Sequence, residues 1–141
     1  WNSFKPDIVQ APFNILDRRI KSSGWLQKLN ENSVEVQVRS VFLQGLLLMN
    51  PVERSKIFFK WQSIWDVFDS WLNNNNLTPL EAALGFVLSE KNIDCIVIGV
   101  ESKKHLNEIV SISNNNFNLK LPEVLSTNDL DLIEPFNWNL I

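Results

Sequence analysis

The stretch Ile93–Val110 holds the densest set of groups able to do chemistry: Glu101, Ser102, Lys103, Lys104, His105 and Glu108. Ahead of them, Cys95–Val100 is a short apolar run rich in β-branched residues and broken by Gly99. That pattern predicts a strand buried on both faces, of the kind found in parallel sheets. Ser102 is a good N-cap, and Leu106, Ile109 and Val110 recur behind it at helical spacing. A buried strand that turns through small residues into a helix start presents free N–H groups and the positive end of the helix dipole, and both favour an anion. Lys103, Lys104 and His105 in the first turn oppose the dipole, which is sensible if a phosphate is their neighbour. The alternative is a solvated helix face, since no complete phosphate-loop motif is present.

What the chain lacks narrows the chemistry further. Tyrosine is absent and His105 is the single histidine. Acid–base catalysis built on Tyr or His is therefore confined to one residue at a helix start. Cys95 stands alone inside the expected strand, which excludes a disulfide within the chain and predicts a reducing, cytoplasmic setting. The 141 residues are 45% hydrophobic and 21% charged, with net charge −3, the composition of one ordinary globular domain. No apolar run approaches the roughly 20 residues of a membrane helix, and no dense basic patch suggests nucleic-acid binding. No signal peptide is expected from the N-terminal residues. The sequence begins at Trp1 and its only methionine is Met49, so a piece of a longer polypeptide is expected.

The elements that must position these groups follow from pattern. Asp7–Gln10 reads as a short strand stopped by Pro12, and Phe13–Arg19 as a connection. Ser22 and Ser23 offer caps for a helix with Trp25, Leu26 and Leu29 inward, ending near Asn32. Val34, Val36 and Val38 alternate with polar residues as in a half-exposed strand, which emerges into an apolar loop around Gly45. After Asn50-Pro51 the stripe Trp61, Ile64, Trp65, Phe68, Trp71 and Leu72 predicts a helix over 52–72, with the tryptophans in the core. Asn73–Leu77 is a loop. Thr78-Pro79-Leu80-Glu81 is a capping box opening a helix to about Lys91, with Leu80, Ala83, Leu84, Val87 and Leu88 inward. Residues 122–141 form a C-terminal tail, apolar from Pro135 to Ile141 and anchored by Trp138, with a helical turn within Glu123–Asp131. Strands alternating with helices predict an α/β chain of βαβ units around a parallel sheet.

Three blocks then resemble the aldo/keto reductase family. Asp7–Arg19 (DIVQAPFNILDRR) is similar to its sixth strand and following turn. Val36–Leu48 (VQVRSVFLQGLLL) is similar to the seventh strand and cofactor loop, and Val97–Glu108 (VIGVESKKHLNE) to the eighth strand and nucleotide-binding helix start. The resemblance runs from about Pro6 to Ser113. It implies a partial TIM (β/α)8 barrel comprising strands six to eight with their helices, the C-terminal half of the family fold, with 1–141 as one unit. In such barrels the phosphate site lies after strands seven and eight.

The resemblance also implies NAD(P)H as cofactor and hydride transfer to a carbonyl or sugar-like substrate. Gln10 matches the residue that hydrogen-bonds the nicotinamide carboxamide, which an amide can do as donor and acceptor at once. Arg39 stands where many members stack an aromatic ring, and a planar guanidinium can also stack. Ser40 and Phe42 match the loop wrapping the pyrophosphate, with Gln44 and Gly45 beside them. Gly99, Val100, Ser102 and His105 match positions around the adenosine phosphate, and Glu108 a contact to the adenine amine. Departures occur: Gly99 replaces a basic residue, His105 stands where an arginine often grips the 2′-phosphate, and Ile109 replaces a polar adenine contact. Lys103 or Lys104 compensates in part, so NADP(H) is favoured over NAD(H). The family's catalytic Asp, Tyr, Lys and His lie on earlier strands and are not found here, so the chain alone is expected to be inactive.

Each assignment has an ordinary structural alternative. Gln10 can be a satisfied strand-end amide, Arg39 a snorkelling rim residue, His105 an exposed helix position, and Glu108 a partner of Lys104 four residues earlier. A rival reading of the whole is a non-catalytic half-barrel used for binding or assembly. Its open sheet edges would call for the missing N-terminal half or for self-association. Neither nucleic acid nor a membrane is expected as a partner. Substrate-specifying loops are mostly missing apart from Leu46–Lys60.

Overall fold

The computed structural model describes residue 1 and residues 3–139, so Leu140 and Ile141 of the expected tail lie outside the described residues. Three strands, β1 (Ile8–Pro12), β2 (Glu35–Arg39) and β3 (Cys95–Ile96), form a parallel sheet in the order β1-β2-β3. Gln10 stands opposite Gln37, and Gln37 opposite Cys95. The crossover from β1 to β2 carries α1 (Arg19–Ser22) and α2 (Trp25–Glu31), and that from β2 to β3 carries α3 (Gln62–Asn75) and α4 (Pro79–Leu88). Helices α5 (Lys103–Ser113) and α6 (Leu130–Ile133) follow β3. The expected α/β order with a small parallel sheet is what forms.

The two sheet faces differ completely. Val36 and Val38 are fully buried beneath the helical layer, continuous with Trp65, Phe68, Leu46, Leu47 and Leu84. On the other face Ile8, Gln10, Glu35, Arg39, Cys95 and Val97 are exposed. The valine alternation thus reports one covered and one open side.

Several boundaries depart from the sequence pattern. Pro12 belongs to β1 and pairs with Arg39, because an edge strand tolerates a residue without an N–H. Ser22 and Ser23 do not cap α2. Gly24 does, at φ 80°, while both serines bond back to Arg19 and Ile20 carbonyls at the end of α1. Trp25 lies outward, under the Lys28 ammonium.

Residues 52–72 are not one helix. Short 3-10 turns at Pro51–Glu53 and Lys56–Trp61 precede α3, with extended backbone at Arg54 and Ser55 between them. The cause is Arg54, which is buried, bonds both Asp69 carboxylate oxygens (2.6 and 2.5 Å) and stacks on Trp65. Pulling that side chain inward breaks the helical path. Helix α3 then runs into the asparagine run expected as loop, and ends where Asn76 adopts φ 51°. The tryptophan stripe is core: Trp61, Trp65 and Trp71 are buried.

The Thr78 capping box forms with both reciprocal bonds, Glu81 N–H to Thr78 Oγ1 (3.2 Å) and Thr78 N–H to Glu81 Oε2 (2.8 Å), but α4 stops at Leu88 rather than Lys91. The largest departure is the strand expected over Cys95–Val100. Only Cys95–Ile96 is paired, and Cys95, Val97 and Val100 are exposed. The sequence reads these residues as doubly buried, but among the described residues no further strand pairs with β3 and nothing covers its outer face. Helix α5 packs through Ile109 and Ile112, leaving Leu106 and Val110 exposed.

The C-terminal segment is tied down as expected of Trp138. Its Nε1 donates to the Leu132 carbonyl (3.1 Å) and its ring meets Phe58 edge-on. Trp61 Nε1 donates to Asp129 (2.9 Å), a bond that holds the Asp129 carboxyl below the ordinary carboxylate range.

Candidate functional site

The C-terminal ends of β2 and β3 feed two segments that face each other across a cleft of about 690 Å³. One wall is the loop Ser40–Glu53, and the other is Val97–Glu101 with His105 at the start of α5. The volume falls within the roughly 300–1,000 Å³ of small-ligand sites.

The loop after β2 holds an unusual backbone. Ser40, Leu43 and Gln44 have φ of 59°, 47° and 53°, followed by Gly45 at 83°. Only Gly45 accepts this region without cost, and each of the others is disfavoured by about 1–2 kcal/mol. Apolar anchors hold the conformation: Leu43, Leu46 and Leu47 are fully buried. Turn bonds add to them, from Leu43 N–H to the Ser40 carbonyl (3.0 Å) and from Leu46 N–H to the Leu43 carbonyl (3.0 Å). The leucines are thus buried while Ser40, Phe42, Gln44 and Gly45 line the cleft. Strain concentrated in one rim loop is characteristic of binding sites.

Across the cleft, Ser102 caps α5 as expected, its Oγ accepting from His105 N–H (3.1 Å). The N–H groups of the first turn have no carbonyl within the helix to bond. The His105 ring lies 6.0 Å from that of Phe42, so the two walls meet through an aromatic contact. Arg39 Nη1 donates to Ser40 Oγ (3.1 Å) at the open end.

Of the expected site residues, Arg39, Ser40, Phe42, Gln44, Gly45, Gly99, Val100 and His105 line the cleft together. Gln10, Ser102, Lys103 and Glu108 do not. Gln10 lies on the open sheet face, where its Nε2 approaches Gln37 Oε1 (3.4 Å), and Gln37 in turn donates to Glu35 (2.8 Å). Lys104 and Glu108 form the exposed i,i+4 pair (3.7 Å) that was the structural alternative for Glu108. Lys103 is exposed on the same first turn. The sequence reading missed Leu48, Met49, Glu53, Val97, Ile98 and Glu101, which also line the cleft. Leu48, Val97, Ile98 and Glu101 lie inside the recognised blocks and Met49 directly after one, so contiguity was the available signal; Glu53 had none.

The same fold and cleft can now be compared with known proteins. The model of the aldo/keto reductase family matches residues 2–124, most of the 141-residue chain. The chain belongs to the aldo/keto reductase family. Among solved structures, this aldo/keto reductase chain is similar to the aldo-keto reductase AKR11C1 from Bacillus halodurans in its apo form. The TM-score is 0.62 and the identity 18%, over 84% of this chain and 41% of that one. The holo form of the same enzyme gives a TM-score of 0.59 and 19% identity, over 79% and 38%. At these identities the likeness is one of fold, TIM-barrel-like, and the chain spans about two-fifths of the length of those structures. No curated protein matches the sequence. Among the described residues, no helix is long and apolar enough to cross a membrane and no cluster suits a metal ion.

Proposed function

We propose that this chain is the C-terminal portion of an aldo/keto reductase barrel, strands six to eight, and that its cleft takes NAD(P)H. The observation that carries the reading is the cleft itself, in which eight of the residues carried over from the family converge around a strained loop and a capped helix start. The residues suit the ligand. The start of α5 borders the cleft through Glu101 and His105, so the positive end of its helix dipole favours phosphate oxygens there, opposite Ser40–Gly45. Arg39 can stack at the open end, with Gln10 on the adjoining sheet face for the carboxamide. The cofactor, when bound, supplies hydride for reduction of a carbonyl or sugar-like substrate, and loop Leu46–Lys60 forms part of the substrate rim.

Chain chemistry limits what the piece does alone. With no tyrosine and its one histidine in the nucleotide cleft, it holds no proton donor of the family type, so reduction requires the rest of the barrel. NADP(H) is favoured over NAD(H) by His105, Lys103 and Lys104, a modest preference because Glu101 stands at the same end of the cleft.

The open sheet face supports the partial-barrel reading. So does a second, apolar groove of about 510 Å³ along the β1 edge, where Phe4 is 74% exposed beside Val9, Ala11 and Trp25. Both surfaces call for the missing barrel half. Self-association through these edges is the second reading, favoured by the same exposed apolar groups. A titration with NADPH and NADH, followed by quenching of the six tryptophans, tests the cofactor proposal. Saturable binding weakened by Gln10→Ala is expected, and a folded chain that binds neither nucleotide would refute it.

A further inference from the structure

We infer that Asn14 is a positioning residue for the cofactor loop, an inference that rests on the cleft's being the nucleotide site. Asn14 lies in the segment after β1, is fully buried and does not itself line the cleft. Its Oδ1 accepts from the N–H groups of Leu16 (3.0 Å) and Asp17 (2.9 Å), and its Nδ2 donates to the Ser40 carbonyl (3.0 Å). Two backbone donors on one side and a carbonyl on the other admit a single orientation of the amide, so all three bonds form together.

The location explains why the third bond matters. The ladder between β1 and β2 runs through Pro12 opposite Arg39 and on to Phe13 N–H bonding the Arg39 carbonyl (3.1 Å). Beyond that the two backbones separate, and the Asn14 side chain makes the next rung, to Ser40. Ser40 is the residue at which the chain leaves the sheet with φ 59°, the first of the left-handed positions in the loop. Its carbonyl carries two bonds, one from Leu43 N–H, which closes the turn, and one from Asn14. A carbonyl fixed from two directions is restrained from rotating with the Ser40 ψ. The amide thus holds the peptide after Ser40, and with it the direction in which Phe42, Gln44 and Gly45 enter the cleft. The Asn14 N–H bonds the Asp17 carbonyl (3.0 Å) and so does not extend the ladder itself.

The role is separable from that of a buried turn residue. Asn14→Asp and the neutral Asn14→Ser both keep an acceptor for Leu16 and Asp17, as Asx and ST turns do, and both lose the donor to Ser40. Each is expected to weaken nucleotide binding by about tenfold. Ser40→Gly supplies a residue that adopts positive φ freely, so in that background the same Asn14 substitutions are expected to cost less than about threefold. The measurement is a double-mutant cycle of NADPH and NADH dissociation constants, with folding of each variant checked by near-ultraviolet circular dichroism. Equal losses with and without Ser40→Gly would make Asn14 a turn residue only and overturn the inference, as would unchanged affinity in a folded Asn14→Ser chain. If the parent chain binds neither nucleotide, the cofactor reading fails and this inference falls with it. Binding by the parent with no effect at Asn14 removes this inference alone.

Discussion

The two faces of the three-stranded sheet are built from the same strands and obey different rules. Under the helices, Val36 and Val38 are fully buried and every neighbour they need lies within the chain. On the other face Gln10, Gln37 and Glu35 form a chain of side-chain hydrogen bonds in the open, with Arg39, Cys95 and Val97 beside them. The first face answers to packing and so determines stability. The second contributes little to folding, and in the proposed reading it is the face that the cofactor and the rest of a barrel would lie against. In that reading stability and cofactor binding are divided between alternating positions of one strand, Val38 serving the first and Arg39 the second.

Substitutions can break this division if it is wrong. The largest effect is expected at Val38→Asp, which would bury an unpaired carboxylate on the covered face and cost more than about 4 kcal/mol in urea unfolding. A cost near zero there would mean the face is not dry. Next is Gly85→Ala in α4, whose new Cβ would sit 2.5 Å from the Phe117 ring. The ring must shift, and a loss of about 1–3 kcal/mol is expected in thermal or urea melts.

A smaller effect concerns the tail over the 3-10 turns. Because the Trp61 bond lowers the folded-state pKa of Asp129, its contribution is full above the ordinary carboxylate range. It is lost as pH falls through the lowered folded value, since below that point both states are protonated. Trp61→Phe removes the donor, so the acid limb of stability, read by urea midpoints against pH, should flatten relative to the parent. An unchanged limb would show that the bond does not discriminate between protonation states. The smallest stability change, within about 0.5 kcal/mol, is expected for Gln10→Ala on the open face, although it should still weaken nucleotide binding. Marked destabilisation there would blur the contrast between the faces.

Much of this division is legible in the sequence. The Val34, Val36 and Val38 alternation announces one covered face, and Thr78-Pro79-Leu80-Glu81 announces its helix start because the bonds involved are local. The resemblance blocks also gathered most of the cleft, since Ser40–Gly45 and Gly99–His105 are each contiguous. What was not legible depends on partners distant in sequence or outside the chain. Arg54 breaks the expected helix over 52–72 only because Asp69 draws it inward. Cys95–Val100 carries the residues of a doubly buried strand, yet only Cys95–Ile96 pairs and Cys95, Val97 and Val100 are exposed among the described residues. Gly24 was passed over for Ser22 and Ser23, since periodicity does not report a positive φ. Asn14 falls within the Phe13–Arg19 connection, where nothing local announces its bond to Ser40 at the end of a different strand.

The central claim is that the cleft between the β2 loop and the start of α5 is where the dinucleotide binds. Hydrogen exchange of the chain with and without saturating NADPH tests it most directly. Slowed exchange confined to the amides of 40–53 and 97–106 is the predicted result. Protection along the β1-edge groove instead, or none in either segment despite saturable binding, would contradict it.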